Sequence, residues 1–221
     1  MVSWFPICRV VAGVVVCAAL ASCSSPPARF HSLLGGDADS VAVAAQAPAR
    51  AFFVDVVSVR VPPSVAGRRL IVRAGSGQVD VLEMDRWASP VADEIRAALA
   101  SGLASQARAM DLHGLPSDGK RPAYRVAVDV QRFDAWRGSH VLIDAVWTMR
   151  TADDRQLLTC RSVVQEDVSA GIDGVVEGHR HALKALASQM AEAVVAYAAE
   201  PSEVARPKRD CLDSAGSTVA K

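Results

Sequence analysis

The chain has 221 residues, with 24 basic against 24 acidic side chains, 51% hydrophobic residues and five cysteines. Balanced charge excludes the basic footprint of a nucleic-acid binder, and so large an apolar share excludes an intrinsically disordered chain. About 150 residues remain once flexible ends are set aside, which suits a single core.

Arg9 is the only early charge, and the run from Val10 to Leu20 after it contains nothing polar. A membrane span needs about 20 apolar residues, so this shorter run has the length of a signal-peptide core. Leu20-Ala21-Ser22-Cys23 follows directly. That order matches the lipobox of bacterial lipoproteins: an aliphatic residue, two small residues a peptidase can hold extended, then a cysteine whose thiolate accepts diacylglycerol. Residues 1–22 are expected to leave as a signal peptide, and Cys23 to carry diacylglycerol and an N-acyl chain, with no other cofactor. A buried N-terminal helix that happens to end in cysteine, or secretion without lipid, are the competing accounts. Each methylene buried in a bilayer contributes about 0.8 kcal/mol and one chain binds only marginally, so three chains make release negligible. Ser24 stands where an aspartate typically retains lipoproteins in the inner membrane, which favours the periplasmic face of the outer membrane. Losing Arg9 leaves 23 basic against 24 acidic residues. Cys8 and Cys17 depart with the signal and Cys23 is acylated, so Cys160 and Cys211 are the candidates for a disulfide. The alternative is one semi-buried strand cysteine and one free tail thiol.

Residues 23–50, with Pro26-Pro27, Gly35-Gly36 and an Ala-rich stretch, show no sustained period and are expected to form a flexible lipidated tether. Such a chain reaches about 30 Å. Phe30, Leu33 and Leu34 are the exception, able to form a short strand or dock on the domain. The globular body spans 51–200. Its first strand, Phe53 to Val61, is β-branched and ends at Pro62-Pro63, and is expected to be buried on both faces. Leu70 to Arg73 and Val79 to Met84 flank Gly75-Ser76-Gly77, a hairpin signal because glycine tolerates positive φ. Those glycines lack the nucleotide-binding fingerprint. Ser89 then reads as an N-cap, Pro90 as the first helical residue, and Val91, Ile95, Leu99 and Leu103 as the buried stripe. Apolar residues alternate at Tyr124, Val126, Val128 and Val130, then at Val141, Ile143, Ala145, Trp147 and Met149. A third strand from Gln156 to Asp167 completes an antiparallel meander. Gly171 and Gly174 are expected to break the chain before a last helix whose face is Leu183, Leu186, Met190, Val194 and Tyr197. Residues 201–221 read as a mobile polar tail. The fold class is α/β, a single mixed β-sheet packed with two long helices, with an α+β sandwich as the alternative.

Catalytic constellations are hard to find. His179 and His181 are two apart on one helix, too far around it to chelate one metal, and read as a solvated flank. His31, His113 and His140 have no defensible partner spacing, so no metal site is expected. Asp129, Asp134 and Asp144 lie on neighbouring strands; a hydrolase would need two of them in one cleft, while the bland account is the solvent face of a sheet. No Gly-x-Ser-x-Gly elbow occurs. Trp87, with Arg86 before the helix, is either a staple on the first turn or an exposed anchor for a partner, and Trp136 carries the same ambiguity.

Several segments in order resemble a known family: the lipobox, Pro26-Pro27-Ala28-Arg29-Phe30-His31-Ser32-Leu33, the valine-rich strand ending Val61-Pro62, Leu70-Ile71-Val72-Arg73, Arg86-Trp87-Ala88 and Arg132-Phe133-Asp134. Together they are similar to the PqiC-type lipoproteins, the ABC-type transport auxiliary lipoproteins also called membrane-integrity-associated transporter subunits. The resemblance covers most of residues 20 to 200. It implies a non-enzymatic protein on the outer membrane that assembles as a homo-oligomeric ring. The implied partners are a periplasm-spanning MCE-domain protein and an inner-membrane permease, supporting lipid traffic and envelope integrity. A longer Ala-rich tether and an Arg-rich tail depart from the pattern. A periplasmic hydrolase of envelope components and a scaffold ring with no transport role are the other functions to weigh.

Overall fold

The computed structural model describes residues 27–35, 50–117 and 119–199. Their elements run β1 (Arg29–His31), β2 (Phe53–Arg60), β3 (Arg69–Arg73), β4 (Val79–Trp87), α1 (Val91–Ala107), β5 (Met110–Asp111), β6 (Ala123–Ala135), β7 (His140–Thr151), β8 (Gln156–Asp167) and α2 (Ile172–Ala199). Mixed sheets and two long helices make an α+β fold, with the strands divided between a five-stranded sheet, order β5-β2-β6-β7-β8, and a three-stranded one, order β1-β4-β3. Among the described residues no helix is long and apolar enough to cross a membrane.

The meander forms as its alternation predicts. β6, β7 and β8 pair antiparallel, and Val126, Val128, Val130, Val141, Ile143, Ala145, Trp147 and Met149 are all at most 2% exposed. β2 adds to β6 in parallel, reached by a crossover through the hairpin and α1. Only the start of β2 is buried on both faces: β5 pairs with Phe53 and Val54 alone, so from Asp55 onward β2 is an edge, and Val57 is 46% exposed. Both helices pack on one side, α1 over β2 and α2 over β7 and β8. The other side of the strands carries Asp129, Asp144 and Arg161 beside Val163, which is 47% exposed.

Helix α1 buries Val91, Ile95, Leu99 and Leu103, as their spacing of four predicts. Its N-cap is Pro90 rather than Ser89, and no side chain caps it. Ser89 instead donates from both its backbone N–H and its hydroxyl to Glu94 Oε1, at 2.9 and 2.8 Å. The hairpin loop closes through Ala74 N–H to Gln78 O at 3.0 Å, and neither Gly75 nor Gly77 takes positive φ. Helix α2 begins at Ile172, so Gly174 lies inside it rather than before it. A Cβ at Gly174 would stand 2.4 Å from Ser169 O, and one at Gly178 would stand 2.2 Å from Val168 Cγ1 and 3.2 Å from Val141 Cγ2. These glycines let the helix start lie directly on the end of the meander. Gly102 serves the two helices likewise, with Ala187 Cβ only 2.9 Å from where its own Cβ would be.

Candidate functional site

The first described segment is part of the fold, as the exception expected within the tether around Phe30 and Leu33 allows. β1 pairs in parallel with β4, matching Arg29 to Asp85 and His31 to Trp87. Arg29 and His31 both bond the buried Asp85 carboxylate, at 2.8 and 2.9 Å. Burial pushes this carboxyl up, but the bonds from Arg29 and His31 outweigh it and hold Asp85 below its ordinary range. Leu33 is 2% exposed and belongs to the core. Glu94, itself 5% exposed, accepts from Ser32 Oγ at 2.8 Å and from Leu33 N–H at 2.9 Å through Oε2. The same carboxylate therefore holds the start of α1 and the N-terminal segment. From the other side, Arg180 of α2 donates twice to Ser32 O, at 3.1 and 2.8 Å. An open groove of about 430 Å³ lies between β1 and the start of α2, lined by His31, Ser169, Asp173, Glu177 and Arg180 among others.

Beneath β1 lies an aromatic cluster. Trp87 is 2% exposed and meets Phe133 and His179 edge-on, each at 6.2 Å between ring centroids. It is a core residue and offers no exposed anchor to a partner. His179 stacks on Phe133 at 3.9 Å and is also 2% exposed, so it is not on a solvated flank. Burial drives its pKa down to about 3, which keeps the ring neutral. His181 does face outward and bonds Glu177 at 3.1 Å. Arg86 is exposed, and Trp136 is half-buried, stacked on His140 at 4.3 Å with the Arg73 guanidinium 5.7 Å from its ring.

The three carboxylates lie on the sheet side away from the helices, where Asp134 and Asp144 are buried at 8% and 5% exposed, and each is bound by arginine. Asp129 pairs with Arg60, Asp134 with Arg73 and Arg132, and Asp144 with Arg161 through two bonds at 2.9 and 2.6 Å. None of them lines the groove beside β1. Among the described residues no group of three metal-ligating side chains occurs. Cys160, opposite Trp147 and 1% exposed, is disulfide-bonded. Leu20, Ala21, Ser22, Cys23, Ser24 and Cys211 lie outside the described residues, as do the signal peptide and the tail.

His179, expected on a solvated flank, and Glu94, an acidic residue of the first helical turn, are the site residues whose burial sequence reasoning missed. Glu94 is three residues on from Val91, at the edge of the α1 stripe, and counting back four from Leu183 reaches His179, so both were within reach of the helical period.

A family model for the ABC-type transport auxiliary lipoprotein component matches residues 33–191. No curated protein matches the chain. Among solved structures, an uncharacterised protein superposes with a TM-score of 0.59 at 18% identity, over 76% of this chain and 99% of that one. A protein of the DUF330 family from Xanthomonas campestris gives a TM-score of 0.56 at 18% identity, over 70% of this chain and 88% of its own. At such identities the likeness is one of fold.

Proposed function

The chain belongs to the ABC-type transport auxiliary lipoprotein components, matched over residues 33–191, and from that membership we propose that it works by docking rather than by chemistry. Acylated at Cys23, it sits on the periplasmic face of the outer membrane. There it assembles with copies of itself and receives a periplasm-spanning MCE-domain protein served by an inner-membrane permease, so that lipid or another hydrophobic solute crosses the envelope.

The family match carries this reading. It is supported by the pairing of Asp129, Asp134 and Asp144 with arginines, which leaves none of the three as a free carboxylate for acid–base work. The hydrolase alternative would need a carboxylate pair free to exchange protons in a cleft. The test is mild cross-linking of intact envelopes followed by capture of this chain. An MCE-domain protein in the captured material is the expected result, and its absence under conditions that cross-link the chain to itself would refute the docking role.

A further inference from the structure

The outer face of the small sheet gathers apolar and basic side chains in one place. Leu70 and Val72 point into the core, as do Asp85 and Trp87. Strand alternation therefore turns Phe30, Arg69, Ile71, Val79, Val81 and Arg86 outward. Phe30 is level with Arg86, and Arg86 with Arg69, so the three form one row across the sheet. Phe30 is 59% exposed, Val79 47% and Val81 40%. Arg68 places its guanidinium 5.7 Å from the Phe30 ring. The carboxylate on this face is Glu83, which bonds Arg69 at 3.4 Å, while Asp80 falls in register with the inward-facing Val72.

The proposal rests on acylation of Cys23. Docking of β1 shortens the free lead between lipid and domain: Cys23 precedes Pro27, the first described residue, by four positions. Four residues span at most about 14 Å, less than half the reach of a tether running to residue 50. Because β1 runs parallel to β4, the chain enters from the side of the small sheet where Val79 and Val81 lie. We propose that this face, with Phe30, Val79, Val81, Arg68, Arg69 and Arg86, lies against the anionic phospholipid headgroups of the bilayer that holds the acyl chains, fixing the orientation of the domain. Arginine matches phosphate geometry with paired donors, and exposed apolar side chains beside it enter the headgroup boundary.

The test uses the full chain, matured in a host that processes lipoproteins and carrying Phe30→Trp. It is reconstituted in phosphatidylethanolamine–phosphatidylglycerol vesicles brominated near the top of the acyl chains. The mass of the N-terminal peptide reports acylation separately. Emission of the new indole, taken by difference from the unsubstituted chain, should be quenched by the brominated lipid. Arg69→Gln combined with Arg86→Gln should lower the ratio of docked to lifted domain about thirtyfold, about fivefold for each charge lost near an anionic surface. An acylated chain whose indole stays unquenched overturns the proposal and leaves the anchor standing. Emission blue-shifted equally in detergent and in vesicles, without quenching, also overturns it, because a second copy of the chain then covers the face. An unacylated chain that is still quenched on these vesicles supports the face and refutes the anchor.

Discussion

Replacing Glu94 by glutamine tests how the N-terminal segment is held. The carboxylate accepts two bonds at Oε1 from Ser89 and two at Oε2 from Ser32 and Leu33. An amide has the same shape but accepts at one atom only. With its oxygen kept on Ser89, its NH₂ group turns towards the buried Leu33 N–H, which loses its acceptor. A hydrogen bond to a charged acceptor contributes about 1.5–3 kcal/mol, and a buried donor left unsatisfied costs about 1–3. A loss of about 3 kcal/mol for the segment follows, roughly a hundredfold in its opening equilibrium. Ser32 can rotate its hydroxyl to accept instead, so the loss falls mainly on Leu33. Native-state hydrogen exchange resolves this, because local opening is read segment by segment. Amides of residues 29–34 should exchange about a hundredfold faster in Glu94→Gln, with β6, β7 and β8 unchanged. Unaltered exchange at Leu33, or an equal rise in the meander, would refute the view that Glu94 clamps this segment separately from the core.

Further outcomes can be checked by stability and fractionation. The folded pKa of His179 lies below its unfolded value of about 6.5, so the unfolded chain takes up the extra proton, and stability falls as pH drops from about 6.5 towards about 3. His179→Phe should remove about 1.4 kcal/mol per pH unit from the acid slope in that window, measured by denaturant titration at several pH values; parallel slopes would refute the neutral buried ring. Gly178→Ala gains about 1 kcal/mol of helix propensity but forces a Cβ to 2.2 Å from Val168. Overpacking of about 1–3 kcal/mol outweighs it, for a fall in Tm of a few degrees by calorimetry. Ser162→Ala strips the acceptor 3.1 Å from the Trp147 indole N–H and should cost about 1–3 kcal/mol in chemical denaturation. Cys23→Ser should leave the chain without acyl mass and abolish its tight hold on the membrane fraction, because the thiol is the proposed acyl acceptor.

The meander and both helix faces were legible because their burial is local and periodic. Tyr124 to Val130, Val141 to Met149 and the α1 stripe each carry their own period, and each lies where that period puts it. Long-range contacts left no such trace. Residues 29–31 are too few to show alternation, and their strand exists because Asp85, more than fifty positions later, offers a carboxylate. Gly174 reads as a breaker ahead of α2 because propensity sees backbone freedom, whereas the fold uses its missing side chain, like that of Gly178, for close approach to Ser169, Val168 and Val141. Trp87 was ambiguous for a related reason. A tryptophan before a helix is compatible with core or surface, and the partners that decide it, Phe133 and His179, come from elements far along the chain.

The bonds from Arg180 to Ser32 O join positions 148 apart in the sequence. For a polypeptide threaded across a membrane from its N-terminus, that separation sets an order of events. Residues 29–34 have nowhere to bind until β4, α1 and finally the first turns of α2 have emerged and closed over the meander. On the proposed acylation of Cys23, modification would precede the docking of this segment. Completion of the last helix then locks residues 29–34 in place, and in the proposed lipoprotein that step would set how far the domain can stand from its bilayer.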